Sequence, residues 1–154
     1  MVHIHHRGES AVPADFAFEY MADFTNMKDW LYGMKSVTLV GDVPHMRPGA
    51  LYEGVVKIGA TLKATIKLTE LVENRVVATE SVKGFSNQTR WVLEELGPEQ
   101  SALTVDIHYQ LPGGLAGKAL GAAMEPFVAV AVKWTETRLR EALETRYRAS
   151  KAAV

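Results

Sequence analysis

The sequence predicts an α+β fold: a seven-stranded, curved antiparallel sheet wrapped around a long C-terminal helix, with two short helices between strands 1 and 2. Three observations predict it. Apolar and polar residues alternate with period two through successive segments, turn residues separate those segments, and a helical apolar stripe runs through the last third. Strands with one apolar and one polar face form an antiparallel sheet with one side to be covered, and the terminal helix is the cover.

The first strand is expected from Val2 to Ser10, with Val2 and Ile4 on one side and His3, His5, Arg7 and Glu9 on the other. Pro13 suits a first helical turn, and Phe16, Ala17, Tyr20 and Met21 recur at helical spacing, so a short helix covers 13–22. A second short helix covers 24–30 and ends at Trp30, and Gly33 punctuates the chain before strand 2, marked by Val37 and Leu39. Tyr52, Val56 and Ile58 mark strand 3. Strand 4 has the cleanest alternation, Leu62, Ala64, Ile66 and Leu68 against Thr61, Lys63, Thr65, Lys67 and Thr69. Val76 to Val82 forms strand 5, the Trp91 and Leu93 segment strand 6, and Leu103, Val105, Ile107, Tyr109 and Leu111 the inner face of strand 7.

After Pro112-Gly113-Gly114 the helical pattern runs to about Arg148. Leu120, Met124, Phe127, Val128, Ala131, Thr135, Leu139 and Ala142 fall on one stripe, and Lys118, Lys133, Glu136, Arg140 and Glu144 fall opposite. Pro126 is expected to kink or restart this helix, leaving a main segment of roughly 23 residues and roughly 34 Å, and the tail from Ala149 is expected to fray.

The bulk properties narrow the function. A chain of 154 residues is expected to be a single domain spanning 1–154. With 47% apolar and 23% charged residues it has the composition of a globule. Seventeen basic and eighteen acidic side chains give a net charge of -1, which supplies no field for nucleic acid or an anionic membrane. The absence of cysteine removes disulfides, thiol nucleophiles and zinc–thiolate sites, and fits a cytoplasmic protein. No segment reaches the roughly 18 apolar residues of a membrane span, and no apolar leader is visible.

Motifs that carry chemistry are sparse. His3 and His5 share a strand face and could ligate a metal, yet no Asp, Glu or further His at ligand spacing completes the site nearby, so no metal and no cofactor are expected. His6, on the opposite register, is the histidine that faces the covered side. Asp106 and His108 suggest a dyad, but Tyr109 pointing inward turns His108 to solvent, and no nucleophile motif accompanies them. The Gly113-Gly114-Leu115-Ala116-Gly117 run lacks the lysine and hydroxyl of a phosphate loop and reads as a hinge. Arg138 falls within the apolar stripe, where a buried guanidinium needs an acidic partner or ligand group. Arg140, Arg146, Arg148 and Lys151 complement the helix dipole.

The order strand, two helices, six strands, long helix resembles the START-like (SRPBCC, helix-grip) superfamily, in particular its polyketide cyclase/dehydrase and lipid-transport branch. So does the wording. Val12-Pro13-Ala14-Asp15-Phe16 through Asp23-Phe24 is similar to the family's opening, as are Asn26-Met27-Lys28-Asp29-Trp30, Gly49-Ala50-Leu51-Tyr52, the run from Gly84 to Trp91-Val92-Leu93-Glu94, and Leu111-Pro112-Gly113-Gly114. The likeness covers about residues 2–148 and specifies the fold more than the function.

What the resemblance implies is a cavity between sheet and helix, with the ligand lying along the helix. The residue pattern agrees, because bulky aromatics on the covered face prop surfaces apart, although the same rings could fill an ordinary core. The candidate ligand-binding residues are His6, Tyr20, Trp30, Tyr52, Val56, Ile66, Trp91, Tyr109, Met124, Phe127, Val128, Ala131 and Arg138. The expected partner is a hydrophobic small molecule such as a lipid, isoprenoid or polyketide-like compound, with no nucleic acid, no stable membrane insertion and a homodimer left open. No catalytic residue is assigned. An aromatase/cyclase-like enzyme using His6, Tyr52, Tyr109 and Arg138 is the alternative, and a protein-interaction module is a third reading.

Overall fold

The computed structural model describes residues 2–58, 60–110 and 114–152, with side chains described except at 2, 58, 60 and 114–129. Seven antiparallel strands form one sheet: β1 (Val2–Ser10), β2 (Met34–Val40), β3 (Leu51–Ile58), β4 (Ala60–Val72), β5 (Val76–Gly84), β6 (Ser86–Gly97) and β7 (Gln100–Gln110). Their order across the sheet is β1-β7-β6-β5-β4-β3-β2, so β2 to β7 follow one another as hairpins and β1 returns to pair with β7. The first two strands of the chain are therefore the two edges.

Register turns the period-two pattern into a face. His6 lies opposite Val105, Val105 opposite Trp91, and Trp91 opposite Val77, a row that crosses four strands on the covered side. Register shifts at Met34/Ser36, Thr65/Ile66, Leu68/Glu70 and Glu95/Gly97 insert irregularities that bend the strands and curve the sheet. At the β5–β6 turn the backbone comes so close to β4 that a Cβ on Gly84 would sit 2.4 Å from the Lys63 carbonyl oxygen. Gly84 also holds φ +81, so glycine is required twice over.

Between β1 and β2 lie α1 (Ala14–Ala22) and α2 (Met27–Trp30), separated by a 3-10 turn at Phe24–Asn26. The single second helix expected over 24–30 is split because the Asp23 carboxylate accepts hydrogen bonds from the Thr25 N–H (3.1 Å) and hydroxyl (2.6 Å), which starts the chain in a tighter turn. Pro13 caps α1 from outside it.

The last helix, α3 (Gly114–Ala152), is 39 residues long, about 58 Å at 1.5 Å per residue. The expected restart at Pro126 does not occur. A proline removes one backbone hydrogen bond, and a helix with long runs on both sides of it continues. Nor does the chain fray at Ala149. The helix persists to Ala152, and its last turn is tied to the β6–β7 turn, where Glu99 accepts a hydrogen bond from the Tyr147 hydroxyl (2.8 Å) and pairs with Lys151. The expected hinge at 113–117 lies partly outside the described residues.

The core sits where α1, the 3-10 turn and α2 meet the sheet and the second half of α3. Val12, Met21, Phe24, Tyr52 and Leu68 are its most deeply enclosed side chains, and Leu139 and Leu143 bring α3 into it. Phe24 packs on Tyr52 (ring centroids 4.7 Å) and edge-on to Trp91 (5.9 Å), and Trp30 meets Trp91 at 5.3 Å. Such tilted contacts add to the roughly 1.5–3 kcal/mol that burying each large side chain contributes. Among the described residues no helix is long and apolar enough to cross a membrane.

Candidate functional site

Beside that core the sheet and α3 do not meet everywhere, and a cavity of about 300 Å³ lies between them. Every strand contributes to its wall. Ile4 and His6 come from β1, Val105, Ile107 and Tyr109 from β7, Thr89 and Trp91 from β6, and Thr79 from β5. Leu62, Ala64 and Ile66 of β4, Val56 of β3, and Met34 and Val37 of β2 extend the wall, with Met27, Trp30 and Leu31 at one side. Helix α3 supplies Ala131, Val132, Thr135, Glu136, Leu139 and Arg140. The wall is mostly hydrocarbon and aromatic ring, with few polar groups, as small-molecule sites are.

Those polar groups are concentrated where β1 faces α3. His6 Nε2 stands 3.2 Å from Glu136 Oε2, while Glu136 Oε1 accepts a 2.6 Å hydrogen bond from an Arg140 terminal nitrogen. Arg140 Nε donates to the Glu9 carbonyl (3.1 Å), so the chain His6–Glu136–Arg140 is anchored on the backbone of β1. The His6–Glu136 approach falls outside hydrogen-bond geometry, which leaves Nε2 buried without a hydrogen-bond partner among the described residues. Trp30 Nε1 is in the same condition, and it can only donate. Thr135 Oγ1 accepts from the Tyr32 N–H at 3.0 Å and holds the loop after α2 against α3. Burial pushes the Tyr109 phenol above its ordinary value of 10.0, so it stays a neutral hydroxyl at the wall.

His6, Trp30, Val56, Ile66, Trp91, Tyr109 and Ala131 of the candidate set all stand on this wall. Three others do not. Tyr52 faces the covered side but lies under Phe24 in the core, where its hydroxyl accepts the Met46 N–H (3.0 Å) and lies 2.9 Å from His45 Nδ1. A tyrosine whose polar tip is already partnered has become structure. Tyr20 is buried in α1 with the Arg146 guanidinium 4.7 Å from its ring centre, away from the cavity wall. Burial raises its phenol, and the Arg146 charge works the other way.

Arg138 is exposed, 5.5 Å over the Trp134 ring and 3.9 Å from Glu141. The inward stripe of α3 is phased toward Val132, Glu136 and Arg140, one residue to the other side of Thr135 and Leu139, so the expected buried arginine faces water. Its outward stacking on Trp134 gives the guanidinium a place without burial. Met124, Phe127 and Val128 lie outside the described side chains.

Glu136 and Arg140 are the residues the sequence reading missed, having placed them on the solvent side. The i, i+4 spacing of an acid and a base was visible, and such a pair usually marks a solvated helix face. Their partner on β1, His6, is 130 residues away in sequence, and only the fold brings it to them. The four residues of the cyclase alternative also fail to converge, since His6 and Tyr109 share the cavity and Tyr52 and Arg138 do not.

The expectation that no acid stands beside the amino-terminal histidines is overturned as well. β7 carries Asp106 to His3 and His5 on the outer face of the sheet, and their hydrogen bonds, His5 first and then His3, hold its carboxyl below the usual range.

Comparison with solved structures finds the same fold repeatedly. The Zhui aromatase/cyclase of a Streptomyces species superposes with a TM-score of 0.75 at 20% identity, covering 97% of each chain. A START superfamily protein of Mycobacterium smegmatis gives 0.65 at 23% identity, over 90% of this chain and 97% of that one. A ginseng major latex-like protein from Panax ginseng gives 0.63 at 14% identity, over 88% and 95%. At such identities the likeness is one of fold, the START-like helix-grip. No curated protein matches the sequence. Residues 1–144 do match the family described as polyketide cyclase / dehydrase and lipid transport, and the chain belongs to that family.

Proposed function

We propose that the protein binds a hydrophobic small molecule of lipid, isoprenoid or polyketide type in the cavity between the sheet and α3. The observation that carries this reading is the wall of hydrocarbon and aromatic side chains around about 300 Å³, with His6, Glu136 and Arg140 together at one edge. Apolar surface facing a void loses contacts it would make with a ligand, and a greasy ligand leaves water on entering. Trp30 Nε1 and His6 Nε2 sharpen the choice. An unpartnered buried polar atom costs about 1–3 kcal/mol, so a carbonyl or phenol on the ligand that reaches either atom gains on a pure hydrocarbon.

The test is fluorescence titration with N-phenyl-naphthylamine, a neutral apolar probe, alongside native mass spectrometry of the protein as purified from cells. Saturable binding that disappears in Ala131→Trp, which fills the cavity from α3, is the expected result. Binding unchanged by Ala131→Trp in a folded variant would place the probe elsewhere and remove the proposal's support.

A second reading, catalysis of the aromatase/cyclase type, is favoured by the His6–Glu136–Arg140 group, because an imidazole beside a carboxylate in an apolar wall can pass a proton to and from a carbonyl compound held there. The name of the Zhui protein belongs to the same chemistry. Turnover of a poly-β-keto thioester lost in His6→Gln but kept in Arg138→Ala would support it. Equal loss in both would reject this group as the catalytic one.

A further inference from the structure

The outer face of the sheet carries a second cluster of ligating side chains, remote from the cavity wall. Antiparallel pairing sets His3 opposite His108 and His5 opposite Asp106. Residues two apart on a strand share a face, so two imidazoles of β1 and one carboxylate of β7 converge on one point. Asp106 Oδ1 lies 2.8 Å from His3 Nε2 and 2.7 Å from His5 Nδ1, and the three ligand atoms all lie within 4.8 Å of one another. The His3 ring is stacked on His108 at 4.0 Å with an interplanar angle of 8°, which fixes the plane in which His3 presents its nitrogen. Arg90, which faces Asp106 from β6, is engaged by Glu70 at 3.1 Å, so a cation at Asp106 has that arginine's charge already compensated.

We propose that His3, His5 and Asp106 bind one divalent transition-metal ion of the zinc class and clamp edge strand β1 to β7. The chemistry of the donors selects the ion: two ring nitrogens and one carboxylate suit Zn²⁺, Co²⁺, Ni²⁺ or Cu²⁺, whereas Mg²⁺ and Ca²⁺ call for oxygen ligands. Bonds of about 2.0–2.2 Å to a tetrahedral ion set the donors roughly 3.3 Å apart, so the two histidine–aspartate pairs open by about half an ångström, a change within the reach of side-chain rotation. The ion takes the place of the imidazole protons now shared with Asp106, and both imidazoles bind it in the neutral form. The rings and the carboxylate are partly exposed, so the fourth position opens to solvent and takes a water. The strand it fixes is the one that carries His6, three residues from His3 on the other face, to the cavity wall.

The experiment uses the full chain stripped with a chelator. Zn²⁺ is titrated calorimetrically, Co²⁺ is titrated by visible absorption, and Tm is measured with Zn²⁺ and with Mg²⁺. One Zn²⁺ per chain, a Co²⁺ spectrum with ligand-field bands, and a Tm raised by Zn²⁺ but not by Mg²⁺ are expected. His5→Ala and Asp106→Asn each weaken binding by at least the roughly 10–100-fold that loss of a supporting group costs a metal site. His45→Ala, remote from the cluster, leaves it unchanged. Should Asp106→Asn fail to fold, His3→Gln gives the same readout. No Zn²⁺ binding, binding indifferent to Asp106→Asn or His3→Gln, or binding abolished by His6→Ala with His3 dispensable overturns the assignment.

Discussion

His6 of β1 and Glu136 of α3 stand 3.2 Å apart across the cavity edge, the place where the first strand and the last helix face each other through charged chemistry. Glu136 is held from its other oxygen by Arg140, so its carboxylate is fixed beside the wall rather than free to swing into water. A fixed negative charge at one edge of an apolar cavity sorts ligands by charge.

Glu136→Gln is therefore expected to leave binding of neutral N-phenyl-naphthylamine within about twofold, while anilinonaphthalene sulfonate, its anionic relative, binds about tenfold more tightly once the charge is gone. The amide oxygen can still accept from Arg140, so packing is preserved. Parallel fluorescence titrations check this, and equal effects on both probes would show that Glu136 does not face the ligand.

Tyr52→Phe separates core from cavity. The Met46 N–H loses its acceptor, which costs about 1–3 kcal/mol and lowers the urea midpoint, while probe affinity stays as in the parent chain. Tyr109→Phe is expected to change probe affinity and leave the urea midpoint in place, because the group it removes is a hydroxyl at the cavity wall. Urea unfolding with fluorescence titration on both variants decides whether Tyr52 was rightly removed from the site.

Leu143→Ala tests the anchoring of α3. The side chain is 2% exposed and belongs to the core cluster beside Leu139, so its truncation is expected to cost about 2–5 kcal/mol in chemical unfolding. A loss under half a kilocalorie would mean that α3 does not share the core described here.

Alkaline titration reads the enclosed phenols. Burial is the largest cause holding Tyr20, Tyr52 and Tyr109 above the ordinary 10.0, and the hydrogen bond to Glu99 does the same for Tyr147. A folded pKa above the unfolded one gives stability that is complete below about pH 10 and is lost as pH rises through the folded value. Tyrosinate absorbance should therefore lag behind that of the urea-unfolded chain, and stability should fall above about pH 10. Coincident titration curves in the two states would contradict the burial of these rings.

Much of the architecture was legible because it is written in local periodicity. The alternation of Leu62, Ala64, Ile66 and Leu68 with lysine and threonine dictates a strand with one covered face, and those apolar residues do face α3's side of the sheet. The split at Asp23 was not legible, since it depends on one carboxylate choosing the Thr25 N–H over solvent. Seven of the thirteen candidate site residues stand on the cavity wall because any inward residue of a curved sheet has a fair chance of lining it. Tyr52 and Arg138 went astray for different reasons: the first met a partner for its hydroxyl in a loop, and the second sat on the wrong flank of a broad helical stripe.

The sequence by itself determined which faces are greasy, how many strands there are, and that a long helix must cover them, because hydrophobic periods act within a few residues of each other. Only the tertiary structure decided where that cover leaves room, that Glu136 and Arg140 turn inward to His6, and that Asp106 arrives between His3 and His5. Those are meetings of residues a hundred or more positions apart, fixed by strand register and by the phase of one helix, and no local pattern carries either.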